Sequence, residues 1–163
     1  MNLLMAAAMA TLVSSGAHAA APAADVMAPI QQFADGLDKG DMKMAAAAYA
    51  ADVSIVDEFP PYHWMGASAF QTWGADFGTD AQKHGTSDPR LTLGKPTRTD
   101  VTGDRAYVVM PVVFSYKDHG HPMAEPAQMT FALQGGPGAW KISGWAFGGG
   151  KTHAVAAKAA KKK

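Results

Sequence analysis

The stretch DVSIVDEFPPYHWMG, residues 52–66, holds the residues whose types and spacing best suit chemistry. Side chains alternate along a strand, so Val53, Ile55, Asp57 and Phe59 share one face, and Ser54, Val56 and Glu58 the other. Asp57 is then a lone charge on an apolar stripe. Turned into a nonpolar hollow, its carboxyl loses solvation, its pKa rises, and it becomes a stronger proton acceptor. Turned to water at the strand end, ahead of Glu58 and the Pro60–Pro61 pair, it only accepts backbone N–H bonds from the loop. Tyr62, His63 and Trp64 follow the prolines. They are candidates for a lid over a pocket mouth, with His63 as a partner for Asp57. The alternative leaves Trp64 packed under the loop and the other two at the surface.

Other chemistries find less support. The chain has no cysteine, which excludes thiol catalysis and cysteine-ligated zinc. His119-Gly120-His121 supplies two imidazoles without a third ligand nearby and is assigned to a turn. Gly148-Gly149-Gly150 follows a strand and opens no helix, so it is a hinge and not a phosphate loop. No metal or cofactor is expected. Formal net charge is zero, yet Lys151, Lys158, Lys161, Lys162 and Lys163 hold five of the fourteen basic residues. Residues 1–150 therefore set nine basic groups against fourteen acidic ones, a net of −5. A mildly acidic folded part argues against nucleic acid as the partner.

The elements that must position Asp57 follow from periodicity. Val26, Ile30, Phe33 and Leu37 recur at helical spacing, with Gly40 as a stop. Asp41 is the predicted N-cap of a second helix, Met42 to Ala50, with Met44, Ala48 and Ala51 facing inward and Tyr49 beside them. After the quoted strand, a loop ends at Gly66. A third helix opens at Ala67-Ser68 and places Phe70, Trp73 and Phe77 on one face. Residues 85–89 are expected as loop. Four strands follow, at 90–99, 106–116, 125–133 and 140–147, with turns at 101–104, 117–120 and 134–138. Gly94 and Pro96 make the first of them an edge or bulged strand. Helices first and strands afterwards give an α+β domain. On the 106–116 strand, Val108, Met110, Val112, Phe114 and Tyr116 share one face, and Tyr107, Val109 and Val113 the other. One face covers the helices. The other needs burial too, which points to a homodimer packed sheet to sheet.

The ends have different compositions. Residues 1–19 carry an apolar run and the small-x-small pattern Ala17-His18-Ala19, as in a secretory signal peptide. No Lys or Arg precedes that run, so either the start lies upstream or the signal is atypical. The segment is too short for a membrane span, and the expected location is periplasmic or secreted. Residues 20–25 are assigned as linker, 26–147 as the domain, and 148–163 as a disordered basic Ala/Lys tail.

Four marks in order, Leu37-Asp38-Lys39-Gly40-Asp41, Tyr49-Ala50-Ala51-Asp52-Val53, Trp64-Met65-Gly66 and Trp140-Lys141-Ile142, carry a resemblance. The chain resembles the nuclear transport factor 2-like superfamily, in its SnoaL-like and ketosteroid-isomerase-like branch. The fold this implies is a cone: a strongly curved antiparallel sheet packed on three N-terminal helices, also called cystatin-like. It also implies an apolar pocket at the open end and dimers through the outer sheet face. With gapless spacing from Asp52 to Gly66, Asp57 matches the branch's catalytic base. Phe33 stands where those isomerases carry a tyrosine that donates to the oxyanion, and a phenyl ring cannot donate. Glu125, the sole carboxylate of the later strands, is given no place in the site. The candidate ligand-binding set is Phe33, Tyr49, Phe59, Tyr62, His63, Trp64, Trp73, Met110, Phe114 and Trp145. The expected function is binding of a small, mostly apolar molecule in the cone. Two alternatives stand beside it: an isomerase, cyclase or hydrolase using Asp57 as general base, and a dimeric structural module.

Overall fold

The computed structural model describes residues 23–155, and side chains from residue 25. The leader at 1–19 and the lysines at 158–163 lie outside the described residues. Helix α1 (Ala23–Lys39) buries Val26, Ile30, Phe33, Ala34 and Leu37, the face given by the helical spacing. It begins before Val26, inside the stretch expected as linker, so Pro29 lies within the helix. Gly40, at φ 67°, ends it. Asp41 caps α2 (Met42–Ala46), its Oδ1 accepting from the Met44 N–H at 2.8 Å. Gly36 of α1 lies against the Ala45 backbone, where a Cβ would clash, so the two helices meet at van der Waals distance.

Helix α2 stops four residues short of the expected Ala50. Tyr49, Ala50 and Ala51 belong instead to strand β1 (Tyr49–Val56). The Ile142 N–H donates to the Ala48 carbonyl at 2.9 Å, and this pairing outweighs the helix preference of an alanine run. Ala45 and Ala48 face the core, whereas Ala51 is exposed. The segment expected as a loop up to Gly66 contains a second strand, β2 (His63–Gly66), which folds back antiparallel on β1. Helix α3 (Ala69–His84) buries Phe70 and Trp73 and ends at Gly85 in the left-handed conformation.

The strands that follow are β3 (Thr86–Leu93), β4 (Arg98–Thr102), β5 (Arg105–Asp118), β6 (His121–Gln134), β7 (Lys141–Gly149) and β8 (His153–Ala154). The expected 90–99 strand is two strands, broken where the Gly94 N–H turns to the Pro111 carbonyl. β3 starts at Thr86, within the expected loop, by pairing with Asp118 of β5. β7 runs on through Gly149, and β8 pairs with Met123 and Ala124, inside the stretch assigned to the tail. The sheet order is β2-β1-β7-β6-β5-β3, with β4 on β5 and β8 on β6. One pair departs from an all-antiparallel sheet: β1 runs parallel to β7. The sheet curves around α1 and α3, and Phe33, Ile55, Met110, Met129, Phe131, Leu133 and Ile142 fill the space between. No helix of the described residues is long and apolar enough to cross a membrane.

Candidate functional site

The inward face of the sheet ends in a cavity of about 240 Å³. Asp57 sits at its wall, one residue beyond β1. Its Oδ2 accepts from the indole N–H of Trp73 on α3 at 2.8 Å, and its Oδ1 accepts from the Glu58 N–H at 2.8 Å. The Asp57 N–H donates to the Tyr62 carbonyl at 3.1 Å, closing the turn that holds the carboxyl in place. Inward placement and a local backbone bond thus coexist in one side chain. Burial raises the Asp57 pKa from an ordinary 3.8 to about 6. The Trp73 and Glu58 hydrogen bonds pull it back, and the charge of Glu58 adds to the rise. A carboxyl poised near 6 is ionised at neutral pH yet basic enough to take a proton.

Three further acids line the same cavity, Glu58, Asp80 and Glu125. Glu125 projects inward from β6 and is 4% exposed. Glu58 lies in the β1–β2 turn and, contrary to the alternation argument, turns its carboxyl toward Glu125. Alternation fails there because β1 has ended at Val56 and the backbone is already turning. Both carboxyls crowd Gly149 on β7, where an added Cβ would collide with an oxygen of each. Burial first, then the charge of Glu125 and a hydrogen bond with it, together raise the Glu58 pKa from an ordinary 4.5 to about 7. Two carboxylates at this approach cannot both ionise cheaply, which favours the protonated form of Glu58 below about pH 7.

The walls are rings. Phe33 stacks on Trp145 at 5.9 Å, Trp73 meets Trp145 edge-on at 5.4 Å, and Phe77 stacks on Trp73 at 5.4 Å. Phe59, Phe114, Tyr116 and Phe147 extend the wall, and Asp80 and His84 of α3 complete one side.

Of the candidate residues, Asp57, Phe33, Phe59, Trp73, Phe114 and Trp145 come together at the cavity. The others do not line it. Tyr49 is packed behind Phe33, its hydroxyl accepting from the Trp145 indole N–H at 2.7 Å. Its pKa is pushed well up by burial, and the Asp57 charge adds to this. Met110 is core, and Met129 takes the wall position beside it. Trp64 is buried under Phe59, donating to Asp76 Oδ2 at 2.8 Å. Tyr62 is 56% exposed. His63 is exposed on β2 and bonds Ser54 at 3.0 Å, on the opposite face of β1 from Asp57, so it is no partner for that carboxyl.

Among the lining residues outside that candidate set are Glu58, Glu125, Asp80 and His84, and Gly149 stands against the acid pair. For Glu125 the signal was present. Ala127, Met129, Phe131 and Leu133 alternate inward, and two residues further back the same face carries Glu125.

These features define a cone-shaped α+β domain whose hollow is aromatic and acidic. Solved structures of similar shape share little sequence with it. They include a hexachlorocyclohexane dehydrochlorinase, LinA type 3, from Novosphingobium barchaimii, with TM-score 0.67, 15% identity, and coverage of 82% of this chain and 89% of that one. A candidate scytalone dehydratase from Novosphingobium aromaticivorans superposes with TM-score 0.66 and 15% identity, covering 84% of this chain and 89% of that one. A nuclear transport factor 2-like superfamily protein from Salmonella enterica gives 0.60 and 19%, covering 83% of this chain and 92% of that one. The chain has the nuclear transport factor 2-like fold that the resemblance implied. No family model and no curated protein matches it in sequence.

Proposed function

We propose that the cone binds a small, mostly apolar molecule and presents the Asp57 carboxylate to it. The observation that carries this reading is the position of Asp57: at the wall of a cavity of about 240 Å³, held by the Trp73 indole. A pocket of that kind, apolar with a few convergent polar groups, is the usual form of a small-molecule site. The leader-like residues 1–19 support a place of work outside the cytoplasm. The test is a screen of lipophilic metabolites by native mass spectrometry and tryptophan fluorescence, since Trp73 and Trp145 face the hollow. Binding is expected in the natural chain and lost in Ala81→Phe, which fills the cavity from α3. A screen without hits, or hits that survive the filling substitution, overturns the reading.

Proton transfer is the second reading, favoured by the acid groups around the hollow. Asp57 would remove a proton from a carbon acid, and the Glu58–Glu125 pair would give its proton to the oxygen or leaving group that gains charge. That donor stands in for the phenol that Phe33 lacks. Among solved structures of this fold are proteins described as a dehydrochlorinase and a candidate dehydratase. Asp57→Asn is expected to abolish turnover while the protein folds, and turnover in the natural chain to rise with pH through about 6. Unchanged turnover in Asp57→Asn would remove Asp57 from the mechanism.

A further inference from the structure

We propose that the molecule bound in the cone is an organic cation, an apolar body carrying a protonated amine or a quaternary ammonium group. The inference rests on the pocket reading above and adds the charge of the ligand to it. Four carboxyl groups line the hollow, Asp57, Glu58, Asp80 and Glu125, and no Lys or Arg lies among its described lining residues. His84 is the one imidazole there, and its Nδ1 is held 3.2 Å from Asp80 on the preceding turn of α3. Glu125 is the strongest sign. It is 4% exposed, yet among the described residues no backbone N–H, hydroxyl, indole or cationic side chain bonds it. Its partner is another acid. A buried carboxylate normally has a cation or several N–H donors, because its desolvation is otherwise uncompensated. Glu125 lines the cavity, so a cation bound there would lie against it.

The walls favour the same class of ligand. Eight aromatic rings line the hollow, and ring faces attract cations through their quadrupoles, quaternary ammonium groups above all. An ordinary apolar ligand would use the rings but gain nothing from four acids. A carboxylate or phosphate ligand would be repelled by them. Neighbouring carboxyls around one cavity with aromatic walls therefore select for an apolar cation over a neutral or anionic molecule of the same shape.

The acid pair gives the inference a second, independent readout. The titratable groups facing the pair are Asp57 from the end of β1, Tyr116 from β5, and Asp80 and His84 from α3. In the empty pocket the Glu58–Glu125 proton relieves the repulsion between the two carboxyls. A bound ammonium group does the same work, so the proton becomes dispensable and leaves. Binding of a cation should release protons near neutral pH, and binding of a neutral molecule should not.

The experiment compares phenyltrimethylammonium with its neutral isostere tert-butylbenzene, by protein-observed NMR at pH 7.5 and low salt on the natural chain. Calorimetry of the cation in two buffers of different ionisation enthalpy counts the protons released. The expected result is a preference of about tenfold or more for the cation, with net proton release. Glu125→Gln, whose carboxamide still hydrogen-bonds Glu58, should cut that preference several-fold, and Glu58→Gln should do so from the loop side. Melting curves establish that both variants are folded. Equal or tighter binding of tert-butylbenzene overturns the cation assignment while leaving the pocket reading in place. Cation preference that survives both substitutions overturns the role given to the acid pair. Failure of both probes to bind counts against the pocket reading itself, and the cation assignment goes with it.

Discussion

At the scale of single residues, the chemistry lies in how one carboxyl is pulled in two directions. Burial lifts the Asp57 pKa, and the Trp73 N–H, which bonds the charged form, restrains it. Trp73→Phe keeps a ring in place and removes the donor, so the Asp57 pKa should climb above about 6, by up to about one unit. Carbon-detected NMR titration of the aspartate carboxyl measures this directly. A fall in the pKa would contradict the assigned bond. The same shift has consequences for stability. A raised acid pKa means that the folded protein binds the proton more tightly than the unfolded chain does. Stability from Asp57 is therefore present in acid and lost as pH rises from about 4 through about 6; for Glu58 the loss extends to about 7. The melting temperature should fall by a few degrees between about pH 4.5 and pH 7.5, and Asp57→Asn should flatten part of that slope. Calorimetric scans across that range provide the check, and a profile of unchanged slope in the variant would show that Asp57 titrates as if exposed.

At the scale of elements, Gly149 shows what a strand end can control. Its φ is unremarkable, and its value lies in having no side chain where Glu58 and Glu125 converge. Gly149→Ala should drive the two carboxyls apart, lower the Glu58 pKa toward the ordinary 4.5, and leave the melting temperature within a few degrees, because the site is at the exposed end of β7. Carboxyl titration of the variant against the natural chain measures it. An unchanged Glu58 value would mean that the pair does not depend on that gap. The sequence read as three glycines in a row suggests a hinge, since nothing local reveals that two acids from β6 and the β1–β2 turn arrive there. Other parts were legible. The α1 spacing of Val26, Ile30, Phe33 and Leu37 matches the buried face, and the inward face of β5 follows from its period of two. Asp57 was found by the same period, because β1 alternates regularly from Val53 to Val56, after the irregularity between Tyr49 and Ser54. Glu58 was misplaced because the regularity stops one residue before it matters. The α2 boundary was misplaced because an alanine run is a helix former by propensity, and only the distant β7 backbone turns Tyr49 into strand.

At the scale of the whole molecule, one sheet surface lacks a partner among the described residues. The inward face of β5, Ala106, Val108, Met110 and Val112, is buried against the core. The outward face carries Tyr107 at 40% exposure and Val113 at 37%, with Pro111 between them and Arg98 of β4 over the Tyr107 ring at 5.4 Å. Residues on β6 that pair with this face, Ala132, Thr130, Gln128 and Pro126, are small or uncharged, so no ring of like charges guards it. A weakly charged strip on β5, between β6 and the edge strands β3 and β4, suits face-to-face packing of two copies about a twofold axis, in which each copy offers the same patch. The pocket opens on the other face, so such a dimer would leave both hollows accessible and independent. The natural chain should therefore sediment as a dimer at micromolar concentration, with a melting temperature that rises with protein concentration. Val113→Glu places a charge at one end of the strip, where Val113 pairs across to Pro126, and should shift the equilibrium to monomer while ligand binding in the cone persists. A natural chain that sediments as a monomer across that range removes the interface, and a Val113→Glu protein that stays dimeric moves it to another surface.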